Sequence, residues 1–564
     1  MNIFKLSFKT IVQIIFVIIF FSTSQAKNKD NFNEADYISD YFLGILLLND
    51  NQYNESSKFL KKLNGLEESH INYSVNYLYS TINSGNFNEA LKYSRKLEKQ
   101  KLDSFESDLI IGVFYLKNSN LDLAKNYFLK AKNRNSRFIL NNYVSNSLYN
   151  LSDLENLDIN RASLELKKLD ERFNNLNAIQ NVFSNCYFKS LNTNSLFEEL
   201  TSNKKTDFSR YKYFHASYAS SSGEINQAKN IVESALKLYP RNLLLNQYKI
   251  DLINPKNINP FNCKKESHIA AEILYITANA LSSQSIYTLS NLYLNLAKYL
   301  NEDFHSFDTL IAENFYKIDN FKKAKKIYKD LSKRGEAFNW HSTKQLARIL
   351  IREEKKDQAI QLMRNAYKDL KNKDIYETFD FAKFLKNNEK YEDAIPYYTK
   401  IINKLKKNHP VYSEATEGRG VSYERIKEWD KAERDLLVSL EANPNQAYVI
   451  NYLAYSWIEK GVKIEKSLNM LRKANKLRAN DPYIIDSLGW ALFKLKRYKE
   501  AKKNLQNAVR LMPGDPIVND HYGDVLWKNG NKIQARYYWN YVLNLKKTEN
   551  DLKKNIEKKL IKGL

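Results

Sequence analysis

Glycine and proline are scarce in this chain of 564 residues, which contains 14 glycines and 9 prolines. Folds built from short strands and tight turns need more of both, because these residues form the turns. The composition therefore argues against a strand-and-turn protein. Hydrophobic residues still make up 43% of the chain, which is enough for a folded protein, so wholesale disorder is excluded. A single compact core of this length is also excluded unless the fold is extended or divided.

Cysteine is scarcer still, with Cys186 and Cys263 far apart in the sequence. Two such cysteines either pair, as an exported protein allows, or are two buried apolar residues, which is commoner in large helical chains. The sequence leaves this choice open. The seven histidines are scattered, and none has metal-ligand spacing to another histidine or to a cysteine. We therefore predict no metal site and no cofactor.

A long apolar run occurs only near the N-terminus, at Ile11–Phe21, where lysines precede it and small residues up to Ala26 follow it. This three-part layout is typical of a secretory signal. The run is about half as long as a bilayer-crossing helix requires. We predict that residues 1–26 are a cleaved signal peptide and that the protein is exported to the periplasm. The alternative is an uncleaved segment that anchors the protein to the inner membrane.

Acidic residues are fewer than basic ones, and the formal net charge is +24. Such an excess could attract nucleic acid, an anionic membrane or acidic proteins. No block of lysine and arginine stands out from the rest, which favours compositional drift on solvated helix faces.

What the sequence does contain is a repeat. Pairs of residues about twelve positions apart, small at every position except Leu78, recur at intervals near thirty-four residues. The twelve recognisable pairs, which we call anchor pairs, are Gly44/Ser56, Leu78/Ala90, Gly112/Ala124, Ala216/Ala228, Ala278/Ser290, Ala312/Ala324, Ala347/Ala359, Ala382/Ala394, Gly420/Ala432, Ala454/Ser467, Gly489/Ala501 and Gly523/Ala535. Within each copy, apolar residues recur at helical intervals over two segments that a short polar turn separates.

The spacing has a mechanical explanation. Two antiparallel helices approach closely only where the facing residues are small, which explains the anchor pairs. One such hairpin cannot bury its apolar side alone, so the copies must stack. The sequence therefore predicts an all-α fold, an α-solenoid of helical hairpins.

This pattern resembles the tetratricopeptide repeat over most of residues 37–545. The stretches NYLAYSWIEKG, DSLGWALFKLKRYKEA and NDHYGDVLWKNGNKIQARYYW are similar to those of exported tetratricopeptide proteins of Gram-negative, alphaproteobacteria-like bacteria. The pattern fades between Lys132 and Arg210, where the spacing leaves room for two degenerate repeats. A segment with two prolines and four asparagines, NPKNINPFN, interrupts it again.

These features predict a division of the chain. The predicted parts are an N-terminal solenoid at 31–253 with degenerate repeats at about 132–210, a seam or hinge at 254–265, a C-terminal solenoid at 266–545 and a capping helix at 546–564. The last of these has Leu552, Ile556, Leu560 and Ile561 on one face, which we expect to cover the final repeat.

The resemblance implies that the first helix of each hairpin lines a concave ligand groove. On that face the last three repeats carry aromatic residues interleaved with asparagine and aspartate, a mixture that suits an extended peptide. The predicted partner-binding residues are Tyr448, Asn451, Tyr455, Tyr483, Asp486, Trp490, Phe493, Asp520, Asp524 and Trp527. The alternative is that these aromatic residues only pack neighbouring helices together.

No catalytic motif stands in a fitting context, and the repeats leave no room for a catalytic domain. The three aspartates could be a paired-carboxylate site, but we find no histidine near them, no nucleophile and no metal-type spacing. We therefore predict no catalytic residues and no enzyme.

The sequence thus predicts an exported, non-catalytic scaffold that binds proteins or peptides, with a role in cell-envelope assembly. One alternative is a regulatory subunit of an enzyme of envelope glycan or lipopolysaccharide synthesis. Another is a helical-repeat RNA-binding protein, which the acidic groove disfavours, so no nucleic-acid partner is expected. The basic charge would also allow peripheral association with a membrane.

Overall fold

The computed structural model describes residues 34–134, 139–202, 207–253, 260–371 and 373–564, so the predicted signal peptide lies outside the described residues. The described residues form thirty α-helices with short 3-10 turns and no strand. The all-α prediction is confirmed. The chain divides into two compact units, the first ending at Gly335 and the second beginning at Glu336.

The first unit contains helices α1 to α17. Their bounds are α1 Glu34–Asn49, α2 Tyr53–Lys61, α3 Ile71–Asn83, α4 Phe87–Lys99, α5 Phe105–Lys117, α6 Leu121–Asn133, α7 Ile139–Leu151, α8 Ile159–Lys167, α9 Asn174–Phe188, α10 Thr193–Ser202, α11 Ser209–Ser221, α12 Ile225–Leu238, α13 Leu243–Asp251, α14 Glu266–Ser283, α15 Tyr287–Leu300, α16 Ser306–Lys317 and α17 Phe321–Leu331.

The second unit contains helices α18 to α30. Their bounds are α18 Glu336–Arg352, α19 Lys356–Asp369, α20 Ile375–Asn387, α21 Tyr391–Lys404, α22 Pro410–Arg425, α23 Trp429–Ala442, α24 Ala447–Glu459, α25 Ile464–Leu477, α26 Pro482–Lys494, α27 Tyr498–Leu511, α28 Pro516–Lys528, α29 Lys532–Asn544 and α30 Asn550–Lys562. None of the thirty described helices is long and apolar enough to cross a membrane.

Consecutive helices pair as hairpins at the anchor pairs, and all twelve pairs are buried. Where the second member of a pair is serine, its hydroxyl can also bond the first helix: Ser56 Oγ donates to the carbonyl of Gly44 at 2.8 Å, and Ser290 Oγ to that of Ala278 at 2.8 Å. The turn between the helices is also periodic. The seventh residue after the first anchor has a positive φ in every copy, for example Gly85, Glu354 and Lys496. A left-handed residue ends the first helix and reverses the chain.

The region where the pattern fades is helical as well. Helices α7 to α10 form two hairpins between residues 139 and 202, in the space that the spacing had left for two repeats. Lys189, with a φ of 54°, occupies the turn of the second of these hairpins. The small anchors are missing here, so the sequence signal is weak although the backbone continues the same architecture.

The inner face of the first unit is filled by the unit's own hairpin α14–α15. Helix α15 packs against α3 and α5, and α14 packs against α5, α7 and α9. All four of these helices are the first helices of their hairpins, and more than a hundred residues separate three of them from α14. The groove that a solenoid of this kind would offer to a ligand is therefore occupied from within.

Polar and aromatic contacts hold this hairpin in place. Tyr293 donates a hydrogen bond to Asn141 at 3.1 Å, and the side-chain amide of Asn83 donates to the carbonyl of Thr288 at 3.0 Å. Other contacts include the stacked rings of Phe87 and Tyr299, the bond from Tyr187 to Glu266, and Arg210, whose guanidinium donates two hydrogen bonds of 2.7 Å to buried Glu272. A buried bidentate pair of this kind fixes orientation as well as distance.

A disulfide joins Cys186 of α9 to Cys263, which immediately precedes α14, with a Cα–Cα distance of 6.0 Å. The sequence left open whether these two cysteines pair, and the structure shows them paired. Beside the bond, Phe261 packs against Phe183 and Phe214. The predicted seam at 254–265 lies partly outside the described residues, and its described part is held to the first unit. The boundary between the compact units falls about seventy residues later, because α14 to α17 pack within the first unit.

Helices of the second unit pack mainly against those one or two positions away along the chain. Its last helix, α30, covers the final hairpin: Ile556 is fully buried, and Leu552 and Leu560 pack on the same apolar core. Ile561, which the sequence placed on this contact face, is instead exposed. Helical geometry explains the difference, since residues 552, 556 and 560 share one stripe while 561 is turned about 100° away.

We predict that Gly489→Ala destabilises the second unit by about 1–3 kcal/mol, because a Cβ there would lie 2.6 Å from Cγ of Leu505. All six tryptophans lie in the second unit, so urea unfolding followed by tryptophan fluorescence reports on that unit. The matched control is Gly514→Ala, where a Cβ meets nothing within 4 Å. Equal midpoints for the two variants would show that the helices are not held together by this close contact.

Candidate binding groove of the second unit

The ten predicted residues lie on α24, α26 and α28, the first helices of the last three hairpins of the second unit. The structure divides them by exposure. Tyr448 and Tyr483 are exposed, while Asn451, Tyr455, Phe493 and Trp527 are partly buried. The other four, Asp486, Trp490, Asp520 and Asp524, are buried. The predicted strip is thus an exposed rim over a closed interior.

The rim is formed by residues in the first turns of the three helices. Tyr448 and Tyr483 are 50% and 55% exposed, and Ile517 occupies the equivalent place on α28 and is also exposed. The hydroxyl of Tyr448 donates to Asp481 at 2.9 Å and accepts from Arg478 at 3.1 Å. The bond to the Asp481 carboxylate raises the pKa of Tyr448. These contacts fix the position of the Tyr448 hydroxyl, and part of the ring remains in solvent.

Partly buried residues continue the strip towards the interior. Burial, together with the nearby carboxylates of Glu459, Asp486 and Asp520, raises the pKa of Tyr455 above its ordinary value. Phe493 stacks on Trp490, with ring centroids 4.7 Å apart. The side-chain oxygen of Asn451 is inaccessible to solvent and has no hydrogen-bond partner among the described residues.

Trp490 is a packing residue. Its ring lies between Phe493 and His521, with the His521 centroid 3.9 Å away, and its indole N–H donates to Glu459 at 2.6 Å. The packing interpretation of the aromatic strip therefore applies to this residue. Replacing it would disturb three helices, so it makes a poor test of ligand binding.

Asp486 is held by a histidine. Nδ1 of His521 lies 2.9 Å from Asp486, although one full repeat separates the two residues. The prediction of no histidine near the aspartates is therefore wrong: His521 follows Asp520 directly in the sequence, and its ring contacts Asp486. Burial opposes the charge on His521, but the carboxylates of Asp486, Asp520 and Asp524 outweigh it and raise its pKa.

Asp520 and Asp524 both pair with Lys559 of the capping helix. The Lys559 ammonium lies 2.6 Å from Asp520 and 2.8 Å from Asp524, and all three side chains are almost fully buried. Trp539 also donates its indole N–H to Asp524 at 3.0 Å. Burial and the neighbouring Asp520 raise the pKa of Asp524 to about 6, although Lys559 and His521 oppose the shift. Sequence reasoning missed this role for Lys559, since nothing marks one lysine of the lysine-rich last helix as buried.

This cluster of three aspartates, a histidine and a lysine has the residue types of general acid–base chemistry. Each member is less than a tenth exposed, however, so a substrate has no access to it. No group of histidine, cysteine and carboxylate residues in the described part of the chain could hold a metal ion. The cluster ties the capping helix to the last repeat.

The same face continues onto earlier first helices with charged residues. Lys344 pairs with Asp380 at 2.6 Å and Lys383 with Glu414 at 3.7 Å, so each pair links neighbouring hairpins. Burial raises the pKa of Glu417 despite nearby lysines. The face is thus charged on α18, α20 and α22, and aromatic at its rim on α24 and α26.

Comparison with known proteins identifies the repeats. Residues 315–548 match the model of the family described as "Tetratricopeptide repeat". A stretch of 176 residues is 26% identical to the TPR repeat-containing protein PA4667 of Pseudomonas aeruginosa, and covers 31% of this chain and 29% of that relative. The chain therefore matches less than a third of the relative's length.

Solved structures to which part of the chain is similar include MamA (residues 41 to the end) of Desulfovibrio magneticus RS-1, at 15% identity and a TM-score of 0.28, covering 31% of this chain and 97% of that one. Another is YrrB, described as a TPR protein with an unusual peptide-binding site, at 18% identity and a TM-score of 0.28, covering 35% of this chain and 97% of that one.

We predict that Asp524→Asn becomes more stable relative to the unmodified protein as the pH rises from about 4.5 to about 7.5. The raised pKa values of Asp524 and His521 mean that the folded state favours their protonated forms. Their contribution is present at low pH and is lost as the pH rises through about 6 for Asp524.

The difference in unfolding free energy should change by about 1–3 kcal/mol, since one pKa unit corresponds to about 1.4 kcal/mol. Urea unfolding followed by tryptophan fluorescence at both pH values measures it. A difference that does not change with pH would contradict the raised pKa of Asp524.

Proposed function

Residues 315–548 belong to the tetratricopeptide repeat family, and from this premise we propose that the protein is a non-catalytic scaffold that binds peptide segments of other proteins. The ligand surface is the rim of the second unit formed by Tyr448, Tyr483 and Ile517. The observation that carries the proposal is this row of exposed large side chains at equivalent places on three successive first helices.

We place the ligand-binding surface on the second unit and not on the first. In the first unit the inner face is filled by α14–α15. Among the described residues of the second unit, no helix lies across the first helices α18 to α26 apart from their neighbours along the chain. A ligand would have to displace a packed hairpin to reach the inner face of the first unit, but only water to reach that of the second.

The rim also limits what the ligand can be. Two exposed tyrosine rings and an isoleucine, spaced by successive hairpins, favour apolar or aromatic side chains of an extended peptide. The buried aspartates already bind Lys559 and His521, so they do not attract basic groups of the ligand. Charged groups of the ligand would instead be recognised by the charged helices α18, α20 and α22, where Lys383 and Glu414 are exposed.

We also propose that the protein is exported to the periplasm. The three-part layout of residues 1–26 supports secretion to the periplasm. The disulfide between Cys186 and Cys263 supports it independently, because such bonds persist in oxidising compartments and are rare in the reducing cytosol. A protein-binding scaffold in that compartment fits a role in assembling the cell envelope.

We predict that Tyr448→Ala combined with Tyr483→Ala lowers partner capture about tenfold or more, because exposed aromatic anchors supply much of the affinity of peptide interfaces. The full chain is immobilised, incubated with an envelope extract, and the retained proteins are identified by mass spectrometry. Unchanged tryptophan-monitored unfolding shows that the double variant is folded.

The matched control is Leu437→Ala, which removes an exposed apolar side chain from the outer helix α23 of the same unit. This control should capture the same proteins as the unmodified chain. Full retention of every partner by the double variant would contradict binding at the rim.

We also predict that protein isolated from the periplasm without reductant contains no free thiol. Because Cys186 and Cys263 are the only cysteines, a maleimide should label the denatured chain only after reduction. Labelling of both cysteines before reduction would contradict both the pairing and the oxidising location.

A further inference from the structure

The outer surface of the last hairpin has an apolar stripe. Ile533, Tyr537 and Tyr541 follow one another at four-residue intervals on α29, and the first two are 87% and 69% exposed. Side chains at this spacing share one face of a helix. A contiguous exposed stripe of this kind marks an interaction surface.

The preceding hairpin shows that packing does not require these residues. Counting from the first anchors Gly489 and Gly523, the positions equivalent to the stripe on α27 are Lys499, Lys503 and Asn507. Those residues are polar, as a solvated outer face predicts. The apolar residues are therefore a specific property of the last hairpin.

The capping helix extends the same surface. Ile561 is 78% exposed on the outside of α30, and Leu564 after it is exposed as well. Arg536 of α29 donates to the carbonyl of Leu560 at 3.3 Å, so the C-terminal end of α30 lies against the first half of α29. Both helices thus carry exposed apolar side chains at the C-terminal end of the unit.

Lysines surround this region. Residues 532–564 contain nine lysines and arginines and three acidic residues. One lysine, Lys559, is buried with Asp520 and Asp524. Within this segment, the exposed lysines that form no ion pair with a described residue are Lys532, Lys546, Lys547, Lys554, Lys558 and Lys562. The excess of basic over acidic residues in this segment is larger than its share of the overall composition would give.

We propose that this C-terminal surface binds an anionic phospholipid bilayer. Apolar and tyrosine side chains enter the boundary between headgroups and acyl chains, while the lysines pair with anionic headgroups. A bilayer offers negative charge and an apolar layer at one place, which matches an exposed stripe bordered by unpaired lysines. An acidic protein would match the lysines, but it would need an apolar patch beside its acidic groups to cover the stripe as well. Binding is reversible, because a few inserted side chains are a weak anchor.

The test uses the full chain and sedimentation with vesicles of phosphatidylcholine, alone or with about 30% phosphatidylglycerol. We expect binding to the anionic vesicles, none to phosphatidylcholine alone, and a loss of binding between about 0.1 M and about 0.5 M salt. Ile533→Ser with Tyr537→Ser, and separately Lys554→Gln with Lys558→Gln and Lys562→Gln, should each lower the bound fraction about tenfold.

Two matched controls should bind like the unmodified chain. Lys499→Gln with Lys503→Gln removes equivalent outer lysines one hairpin earlier, and Tyr448→Ala with Tyr483→Ala removes the peptide rim. The second control separates this proposal from peptide binding. Equal binding to neutral vesicles, no effect of the stripe variants, or capture of an acidic protein through the same residues without vesicle binding would overturn the bilayer assignment.

Discussion

The close approach of two helices at a pair of small residues is the contact on which the rest of this structure depends. Glycine, alanine or serine at the anchors lets the second helix lie against the first, as at Gly489, where Leu505 occupies the space of a Cβ. A left-handed residue seven positions later reverses the chain each time. Because each hairpin buries only part of its apolar surface, stacking follows, and stacking creates the inner and outer faces that carry function.

The two units are built from the same type of hairpin, but only in the first unit does a hairpin cover the inner face among the described residues. In the first, α14–α15 is a hairpin with its own anchor pair Ala278/Ser290, yet it lies against the first helices of the repeats before it and consumes their inner face. The disulfide and the Arg210–Glu272 pair fix it there. Among the described residues of the second unit, only the capping helix folds back, and it packs on the last repeat alone. The inner face of the first unit is thus covered, while Tyr448 and Tyr483 of the second unit remain exposed.

The fold could be predicted because its sequence signals are local and periodic. Much of the site could not, because it depends on contacts between distant segments. The small anchors, turns and helical stripes are local signals, so the solenoid and its hairpins could be derived from the sequence. Contacts between distant segments leave no such signal. In the sequence, α14–α15 has the pattern of an ordinary repeat, and nothing distinguishes Lys559 from the other lysines around it. The aspartates Asp520 and Asp524 were assigned to ligand binding because the sequence shows their face but not their partner. Only Tyr448 and Tyr483 of the predicted strip are well exposed, since the first turn of each helix extends beyond the packed interior.

The central claim is that the first unit is closed by its own hairpin, so that partners bind elsewhere. Amide hydrogen exchange of the unmodified full chain tests it most directly. Amides of Glu266–Ser283 and Tyr287–Leu300 should exchange as slowly as those of Ile71–Asn83 and Phe105–Lys117, against which they pack. Fast exchange of the hairpin beside slow exchange of the surrounding helices would contradict the account, because it would show an inner face that is free to receive a ligand.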